Sequence, residues 1–244
     1  MSRRTVPAPD HSSAHYIVQN NATGRVAYWQ AEYNQSASNE AGISLADYIH
    51  AMYGFLVQRG SRDVLMIGCG GGTLATMLHS RDATVTIADI DPLSFAIARD
   101  YFHMPDGIAC HVADGAAFLR RRAHRYDAIV LDAFGEDGMP RKFTRPEFFA
   151  LAASRLKRGG LFLMNVIVAD DDDRTPDRLA RAMRKSWRSV RILDSAGYEN
   201  RNAVIAAGAA AALKRPRLLL APKGRRKKMA EDLATMKFRR VKRE

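Results

Sequence analysis

A regular alternation of short apolar runs with helix-like segments, between residues 63 and 168, constrains the fold most strongly. The apolar runs read DVLMIG, TVTIAD, GIACHV, YDAIVLD and GLFLMNVIV. The segments between them have helical character and lie at about 72–80, 92–103, 114–123 and 146–157. Near-continuous apolar strands that alternate with helices predict a parallel sheet covered on both faces.

Further elements are predicted on either side of this alternation. SVRILD and NAVIAAG follow a helix predicted at about 177–187, and they bring the predicted Rossmann-like, doubly wound α/β sheet to seven strands. Upstream, two β-rich runs around NNATG predict a small N-terminal β-hairpin. We therefore expect three parts: a lead, hairpin and bordering helix at 1–60, an α/β domain at 61–213, and a tail at 214–244.

Two helix starts are predicted from capping residues. Ser44 is expected to be the N-cap of the helix in SLADYIHAMYGFLV. In FTRPEFF, Thr144 with Glu147 three residues later predicts a capping box. Both assignments are structural and carry no chemistry.

The net charge of +12 is concentrated in the C-terminal tail. Residues 214–244 contain 13 Lys or Arg and 3 Asp or Glu, a net charge of +10 that leaves +2 for the rest of the chain. Such a tail can bind nucleic acid or another anionic surface through counterion release. The alternative, which we favour from the sequence, is a solvated and partly disordered terminus.

Composition argues against several other classes of protein. Cys69 and Cys110 are the two cysteines, and they provide neither a disulfide framework nor the spacing of metal ligands. No apolar run approaches the roughly 20 residues of a membrane span, and the N-terminus lacks the apolar segment of a secretion signal. We expect a cytoplasmic protein with no metal and no membrane span.

A glycine-rich turn, GCGGG, follows the first strand of the alternation. Absent side chains let backbone approach a ligand closely, and the following helix begins with free N–H groups. Ligands of open α/β sheets bind beyond the carboxyl ends of the strands. The turn therefore predicts a nucleotide or nucleoside site that includes Gly68, Gly70 and Gly72.

Acidic residues follow the next two strands. Asp89 lies about 20 residues after the turn, where a carboxylate can accept hydrogen bonds from both ribose hydroxyls. Asp91 is expected to cap the next helix. Asp114 can cap the helix that follows it or accept from an adenine amino group, and both roles remain open. Ile90 and Gly115 complete the predicted nucleoside site.

The order of these motifs resembles the spermidine synthase (polyamine aminopropyltransferase) family. VLMIGCGGGTL, VTIADIDP and VADGAAFL are shared with class I methyltransferases generally. YDAIVLDAFGEDGMP and FTRPEFFALAASRLKRGGLFLMNV are similar to spermidine-synthase-like bacterial proteins whose fourth strand ends in Asp-Ala-Phe. The resemblance covers about residues 15–207.

The resemblance implies transfer of an aminopropyl group from decarboxylated S-adenosylmethionine to a polyamine-type acceptor. It assigns the ribose to Asp89, the adenine side to Asp114, and the positioning and deprotonation of the attacking amine to Asp132. A protonated amine has no lone pair, so it must lose a proton before it attacks the carbon beside the sulfonium. A homodimer formed through the N-terminal region is a further expectation from the family.

The substrate side departs from the family pattern in the sequence. Gly71 stands where well-studied members carry the Asp that holds the aminopropyl nitrogen of the donor. Phe134 follows Asp132 in a loop that lacks the second amine-binding carboxylate, for which Glu136 or Asp137 could substitute.

The family's upstream Tyr-His-Glu cluster is also absent at its place, although Tyr48 and His50 lie nearby as candidate substrate contacts. Asn165, within the fifth strand, is expected to be a satisfied structural residue. The acidic run 170–173 either attracts a cationic substrate or favours the N-terminus of the next helix.

Two alternatives to aminopropyl transfer remain open. One is a methyltransferase that uses intact S-adenosylmethionine, because the glycine loop lacks the residue that reads the decarboxylated donor. The other is a non-catalytic nucleoside-binding protein whose basic tail docks it on RNA or on a membrane surface.

Overall fold

Two sheets organise the residues that the computed structural model describes, which are 2–6, 15–30, 33–135 and 138–242. The strands of the first sheet are β1 (Ser2–Val6), β2 (His15–Asn20), β3 (Arg25–Gln30) and β4 (Tyr33–Ser38). They pair antiparallel in sequence order. The predicted hairpin is therefore present as β2 and β3, with one further strand on each side.

The second sheet contains the predicted alternation. Its strands are β5 (Asp63–Ile67), β6 (Thr84–Asp89), β7 (Ala109–Val112), β8 (Tyr126–Leu131), β9 (Leu156–Val168), β10 (Val190–Asp194), β11 (Arg201–Gly208) and β12 (Lys237–Arg239). Their order across the sheet is β12-β10-β11-β9-β8-β5-β6-β7. Strands β5 to β9 are parallel, and the other three are antiparallel to their neighbours. The doubly wound α/β fold is confirmed, with an eighth strand beyond the seven predicted.

Helices cover both faces of this sheet. In the described part of the chain they are α1 (Asp47–Gln58), α2 (Thr73–His79), α3 (Pro92–Phe102), α4 (Gly115–Arg121), α5 (Pro146–Ser154), α6 (Thr175–Met183) and α7 (Arg226–Thr235). The apolar sides of α1, α2, α3 and α7 form one core with the sheet. Those of α4, α5 and α6 form a second core on the opposite face. Each fully buried large apolar side chain stabilises the fold by about 1.5–3 kcal/mol relative to exposure.

The direction of strand addition reverses between β5 and β8. From β5 the sheet grows one way through β6 and β7, and the other way through β8 and β9. The Gly68 N–H donates to the Ala88 carbonyl oxygen at 3.0 Å, and the Asp132 N–H donates to the Ile67 carbonyl oxygen at 2.9 Å. The residues that follow β5, β6 and β8 therefore lie side by side at the point where such sheets bind ligands.

The first sheet packs against α3 beside this point. Ile17, Val26 and Tyr28 of the sheet are buried with Ile97 and Phe102 of α3. The N-terminal region is therefore attached to α3, the helix that follows β6, and it lies next to the glycine turn.

Both predicted helix starts are wrong by a few residues. Ser44 lies before α1, in an antiparallel bridge with Ser38, and the helix begins at Asp47. Thr144 ends a short 3-10 helix, and its Oγ1 donates to the Arg141 carbonyl oxygen at 2.8 Å. Both hydroxyl residues are engaged in local structure that competes with capping.

The C-terminal segment is folded onto the domain, so the expectation of a solvated and partly disordered terminus is wrong. Met229, Leu233 and Met236 are buried. They follow one another at i, i+4 and i+7, which places them on one side of α7 and its end. Phe238 of β12 stacks on Phe55 of α1 with ring centroids 5.6 Å apart. The helical spacing of these three apolar residues was missed in the sequence because Lys and Arg are so frequent in this segment.

None of the helices among the described residues combines the length and apolarity that crossing a bilayer requires. Within the same residues, no group of three or more His, Cys, Asp or Glu could hold a metal ion. Cys69 and Cys110 are free thiols.

Candidate functional site

The glycine turn after β5 adopts a backbone conformation that side chains disfavour. Gly68, Gly70 and Gly72 have φ values of +97°, +51° and +65°. A Cβ at Gly68 would lie 2.0 Å from the Asp132 carbonyl oxygen, so the chain after β8 can approach the turn only because glycine is there. The turn therefore joins the nucleoside side of the predicted site to Asp132.

Gly71 occupies a closed position within this turn. Its N–H donates to the Ser36 Oγ of β4 at 2.8 Å. A Cβ there would lie 2.8 and 2.9 Å from two ring carbons of Phe102 and 2.9 Å from the Ser36 Cβ. The packing around Gly71 thus leaves no room for an acidic side chain at this position. The sequence named neither Ser36 nor Phe102, because the first comes from the N-terminal sheet and the second from the end of α3.

Asp89 lies on the other side of the turn, at the end of β6. Its Oδ2 accepts from the Cys69 N–H at 2.7 Å and its Oδ1 from the Asp91 N–H at 2.9 Å. Burial raises the pKa of Asp89, and the two amides oppose that rise. Each carboxylate oxygen can accept more than one hydrogen bond, so both can still receive ribose hydroxyls.

Two branched apolar side chains are exposed beside Asp89. Ile90 is 71% exposed and Val112 is 61% exposed. Val112 is the register partner of Asp89 across β6 and β7, which brings the two apolar residues to one edge. The sequence identified Ile90 but missed Val112, since an apolar residue at a strand end gives no signal of exposure. Large exposed apolar groups at a ligand edge can cover the face of an aromatic base.

Gly115 and Asp114 begin α4 at the same edge. A Cβ at Gly115 would lie 2.3 Å from the Ile67 Cγ2, so this glycine permits close packing of α4 on β5. The Asp114 Oδ1 accepts from the Ala117 N–H at 2.9 Å, which confirms the predicted cap. Its Oδ2 pairs with Lys142. Burial favours the neutral acid, but Lys142 and the backbone amides hold the pKa of Asp114 below its usual value. An adenine amino group would share this carboxylate with Lys142.

Asp132 follows β8 and is held by side chains from two distant segments. Asn165 of β9 donates its Nδ2 to the Asp132 Oδ1 at 2.8 Å. Tyr48 of α1 donates its hydroxyl to the Asp132 Oδ2 at 3.3 Å. Burial raises the pKa of Asp132, while both donors favour the ionised form.

Both polar atoms of the Asn165 side chain have hydrogen-bond partners, as predicted, and these partners fix the orientation of its amide. Its Oδ1 accepts from the Asn202 Nδ2 of β11 at 2.9 Å. Because Asn202 donates to the amide oxygen of Asn165, the amide nitrogen of Asn165 faces Asp132. Asn202 was missed, since the pairing of β11 beside β9 that brings it here is set by topology.

Of the other residues predicted to contact the substrate, Tyr48 forms a hydrogen bond with Asp132 and His50 does not. Tyr48 contacts Asp132, and burial followed by the charge of Asp132 raises the pKa of Tyr48 well above its usual range, so it stays a donor. His50 is only 1% exposed, and its Nε2 lies 2.9 Å from the Ser44 carbonyl oxygen. It is therefore an interior residue at the base of α1, and no hydrogen bond links it to Asp132. Phe134 is half-buried, two residues after Asp132. Glu136 and Asp137 lie outside the described residues.

The acidic run 170–173 is largely used in local structure. Asp173 accepts from the Thr175 N–H at 2.8 Å at the start of α6. Asp171 pairs with Arg201 at 2.9 Å. Of the two interpretations left open by the sequence, the structure favours stabilisation of the next helix.

Known proteins share this arrangement of elements. The model of the spermine/spermidine synthase domain family matches residues 47–169. A polyamine aminopropyltransferase of Chromobacterium violaceum is 32% identical over an alignment of 124 residues that covers 48% of this chain and 48% of that protein. A Drosophila melanogaster eEF1A lysine and N-terminal methyltransferase homolog is 31% identical over an alignment of 127 residues that covers 47% of this chain and 19% of that protein. The chain thus spans about half or less of the length of these curated relatives.

A solved structure extends the likeness of fold over almost the whole chain. The crystal structure of a probable spermidine synthase from Corynebacterium glutamicum superposes with a TM-score of 0.76 at 15% identity, covering 98% of this chain and 90% of that one. The family match itself runs from α1, which carries Tyr48, past the glycine turn and Asp132 to the end of β9, and it covers half of the chain. The chain belongs to the spermine/spermidine synthase domain family.

Proposed function

We propose that this chain transfers an aminopropyl group from decarboxylated S-adenosylmethionine to a polyamine-type amine. One observation carries the proposal: the carboxylate of Asp132, held by Asn165 and Tyr48, lies one strand from the glycine turn. A carboxylate in that position can accept a proton from an amine that approaches a ligand bound at the turn.

The nucleoside of the donor is assigned to the edge formed by β5, β6 and β7. The glycine turn receives it against bare backbone, and Asp89 accepts from the ribose hydroxyls. Ile90 and Val112 cover the adenine ring, and Asp114 accepts from its amino group. This assignment is supported by the exposure of the two apolar residues directly beside the ribose-side acid.

The transfer is a single displacement at carbon. The amine lone pair forms a bond to the aminopropyl carbon beside the sulfonium, and the carbon–sulfur bond breaks with its electrons going to sulfur. Methylthioadenosine leaves. The lone pair is available because the protonated amine has first given a proton to the carboxylate of Asp132. Holding amine and donor in one site supplies much of the rate enhancement, because alignment no longer costs entropy in the transition state.

The environment of Asp132 suits this role in two respects. Burial raises its pKa, which makes the carboxylate a stronger base than an exposed one. Asn165 and Tyr48 donate to the ionised form, which opposes the rise in pKa that burial causes. The same negative charge attracts a cationic sulfonium and a polyamine.

Methyl transfer from intact S-adenosylmethionine is the second candidate, and the closed position of Gly71 favours it. The aminopropyl donor carries a terminal ammonium group, and Phe102 and Ser36 occupy the space in which an acid at residue 71 would hold it. In this case the attacked carbon is the methyl group, and S-adenosylhomocysteine leaves. The similarity to a protein named as a lysine and N-terminal methyltransferase is compatible with this alternative.

Identification of the nucleoside product by mass separates the candidates. The protein is incubated with each donor in turn and with a panel of diamines and polyamines. Methylthioadenosine supports the proposal, and S-adenosylhomocysteine supports methyl transfer. If calorimetry shows that both donors bind but neither product forms, both enzymatic functions are excluded and a nucleoside-binding protein remains.

A further inference from the structure

A cationic groove lies at the edge of the large sheet, on the side away from the glycine turn. It has a volume of about 590 Å³ and is formed by the end of α6, by β10 and by the segment after β12. The lining residues are Arg181, Arg184, Val190, Arg191, Arg239, Arg240, Val241 and Lys242. Six of the eight carry a positive charge, and no Asp or Glu is among these described residues.

Two acidic residues that pair with a cation of this groove are buried. Asp177 is 0% exposed and Asp194 is 3% exposed. Arg239 pairs with both, with its Nη1 2.9 Å from the Asp177 Oδ1 and its Nε 2.7 Å from the Asp194 Oδ2. Arg239 is therefore committed to the fold. Asp177 also accepts from the Lys242 N–H, and its charge acts on Lys242 as well.

The other cations of the groove are positioned by backbone and ring contacts. The Nη1 of Arg181 donates to the Lys242 carbonyl oxygen at 2.8 Å. The guanidinium of Arg191 lies 3.4 Å from the centroid of the Phe238 ring. Arg184 and Arg240 are exposed at the rim. Arg191 also donates its Nη1 to the Leu213 carbonyl oxygen at 2.5 Å, and Lys242 donates its Nζ to the Asp171 carbonyl oxygen at 3.0 Å. The exposed guanidinium groups of Arg184 and Arg240 present planar sets of N–H donors to a ligand.

We propose that this groove binds the phosphodiester backbone of a nucleic acid. A phosphodiester chain carries a charge at every unit, so it can meet several cations of one groove at once. Arginine predominates in the groove, and its planar guanidinium matches phosphate oxygens in pairs. Binding of this kind releases counterions and depends steeply on salt.

A membrane surface fits the groove less well. Lipid-binding helices present an apolar face next to their cations. The apolar side of α6, with Leu179, Ala180 and Met183, is buried in the core. None of the exposed large apolar side chains in the described residues lines the groove.

The test uses charge-removing variants, because deletion of residues 214–244 would also remove buried core residues. In the groove variant R184Q/R240Q/K242Q, three exposed cations of the groove are neutralised. The control K214Q/R226Q/K227Q neutralises three exposed cations of the same C-terminal segment that lie outside the groove. Both variants lower the net charge by three, so non-specific attraction falls equally.

Affinity is measured by fluorescence anisotropy with a labelled 20-nucleotide single strand, as RNA and as DNA, between 50 and 300 mM salt. We expect the groove variant to bind at least about 10-fold more weakly than wild type at 100 mM salt. Its slope of log K against log salt should be shallower by about 2, because roughly 0.7 is lost per phosphate contact. The control should stay within about 3-fold of wild type. Comparison of the affinities for RNA and for DNA shows which nucleic acid the groove prefers.

Three outcomes would overturn the proposal. They are no binding of either nucleic acid at 50 mM salt, an equal loss in both variants, and groove-dependent binding to phosphatidylserine vesicles that exceeds binding to nucleic acid. Thermal unfolding of all three proteins shows whether a loss reflects the fold, and the single variant R184E, at an exposed rim position, repeats the test if the triple variant is unstable.

Discussion

The two halves of the candidate site are built in different ways. On the nucleoside side, Asp89 is held by the amides of Cys69 and Asp91, which belong to turns directly next to it. On the acceptor side, Asp132 is held by Tyr48 and Asn165, which come from α1 and β9. Backbone amides hold Asp89, and side chains from distant segments hold Asp132.

This difference determines how sensitive the position of each carboxylate is to substitution of neighbouring residues. A carboxylate held by backbone amides keeps its position whatever the neighbouring side chains are, so the nucleoside half suits any adenosyl-sulfonium donor. A carboxylate held by side chains is sensitive to single substitutions, so the acceptor half can adapt to a particular acceptor. The departure from the family pattern after Asp132 falls on that adaptable side, whereas the departure at Gly71 lies in the glycine turn.

The largest expected effect is on turnover, from Asp132→Asn. Loss of the proton acceptor should lower turnover by about 10²- to 10⁴-fold, while nucleoside affinity stays within about 2-fold. Steady-state rates and calorimetry measure the two quantities. Asp127→Asn, at the opposite end of β8, is the matched control and should keep the wild-type rate.

Asp132→Asn, which should lower turnover, should at the same time raise the stability of the fold at neutral pH. Burial raises the folded-state pKa of Asp132, so ionisation costs stability as pH rises from its unfolded value through the folded one. Asp132→Asn should therefore raise the Tm at pH 7 and leave it unchanged at a pH below the unfolded pKa. A Tm that falls at pH 7 would show that the charged carboxylate stabilises the fold.

The next effect, on affinity, is expected from Asp89→Ala. Hydrogen bonds to a charged group contribute about 1.5–3 kcal/mol each, so loss of the ribose contacts should weaken nucleoside binding by at least about 10-fold for each contact. Titration with methylthioadenosine and S-adenosylhomocysteine measures this loss. Asp100→Ala, exposed on α3, is the control. Equal affinities for Asp89→Ala and wild type would remove Asp89 from the ribose site.

A stability effect is expected when an acid is introduced at residue 71. Gly71→Asp forces a side chain against Phe102 and Ser36, and overpacking of this kind typically costs about 1–3 kcal/mol. The variant should unfold at a lower temperature and should gain no preference for the decarboxylated donor. Gly135→Asp is the control, because a Cβ there meets nothing within 4 Å. A stable Gly71→Asp protein with improved use of that donor would contradict the closed packing.

The smallest effect is expected from Asn202→Asp. A carboxylate at residue 202 accepts from Asn165 and turns its amide, so that the amide oxygen faces Asp132. The pKa of Asp132 should then rise, and the rising limb of the pH–rate profile should move to higher pH, with less than about 10-fold loss at the optimum. Carbon-13 NMR of the Asp132 carboxyl group detects the shift independently of turnover. An unchanged titration would show that Asn202 does not orient Asn165.

Much of the fold could be predicted, and so could the placement of Gly68, Asp89 and Asp114 at one edge of the sheet, because both depend on local pattern. Apolar runs that alternate with helices gave five parallel strands and their crossovers. The glycine turn and the acids at strand ends needed only the rule that ligands bind at the carboxyl edge. The cap at Asp114 was likewise local.

The acceptor half and the C-terminal segment resisted prediction because they depend on contacts between distant residues. Asn202 reaches Asn165 only because β11 pairs antiparallel with β9. Ser36 of β4 and Phe102 of α3 fill the space beside Gly71, and the two residues come from different parts of the fold. In the C-terminal segment, composition indicated a solvated tail, whereas three apolar residues at helical spacing determined that it folds.

The central claim is that Asp132 takes a proton from an amine that then receives the aminopropyl group. The most direct measurement follows carbon-13 from the aminopropyl chain of the donor into the amine product by NMR, with wild type and with Asp132→Asn. The account predicts that the label appears on the acceptor nitrogen with wild type and at least about 10²-fold more slowly with the variant. Label that stays on the donor, or that transfers equally fast in both proteins, would contradict it.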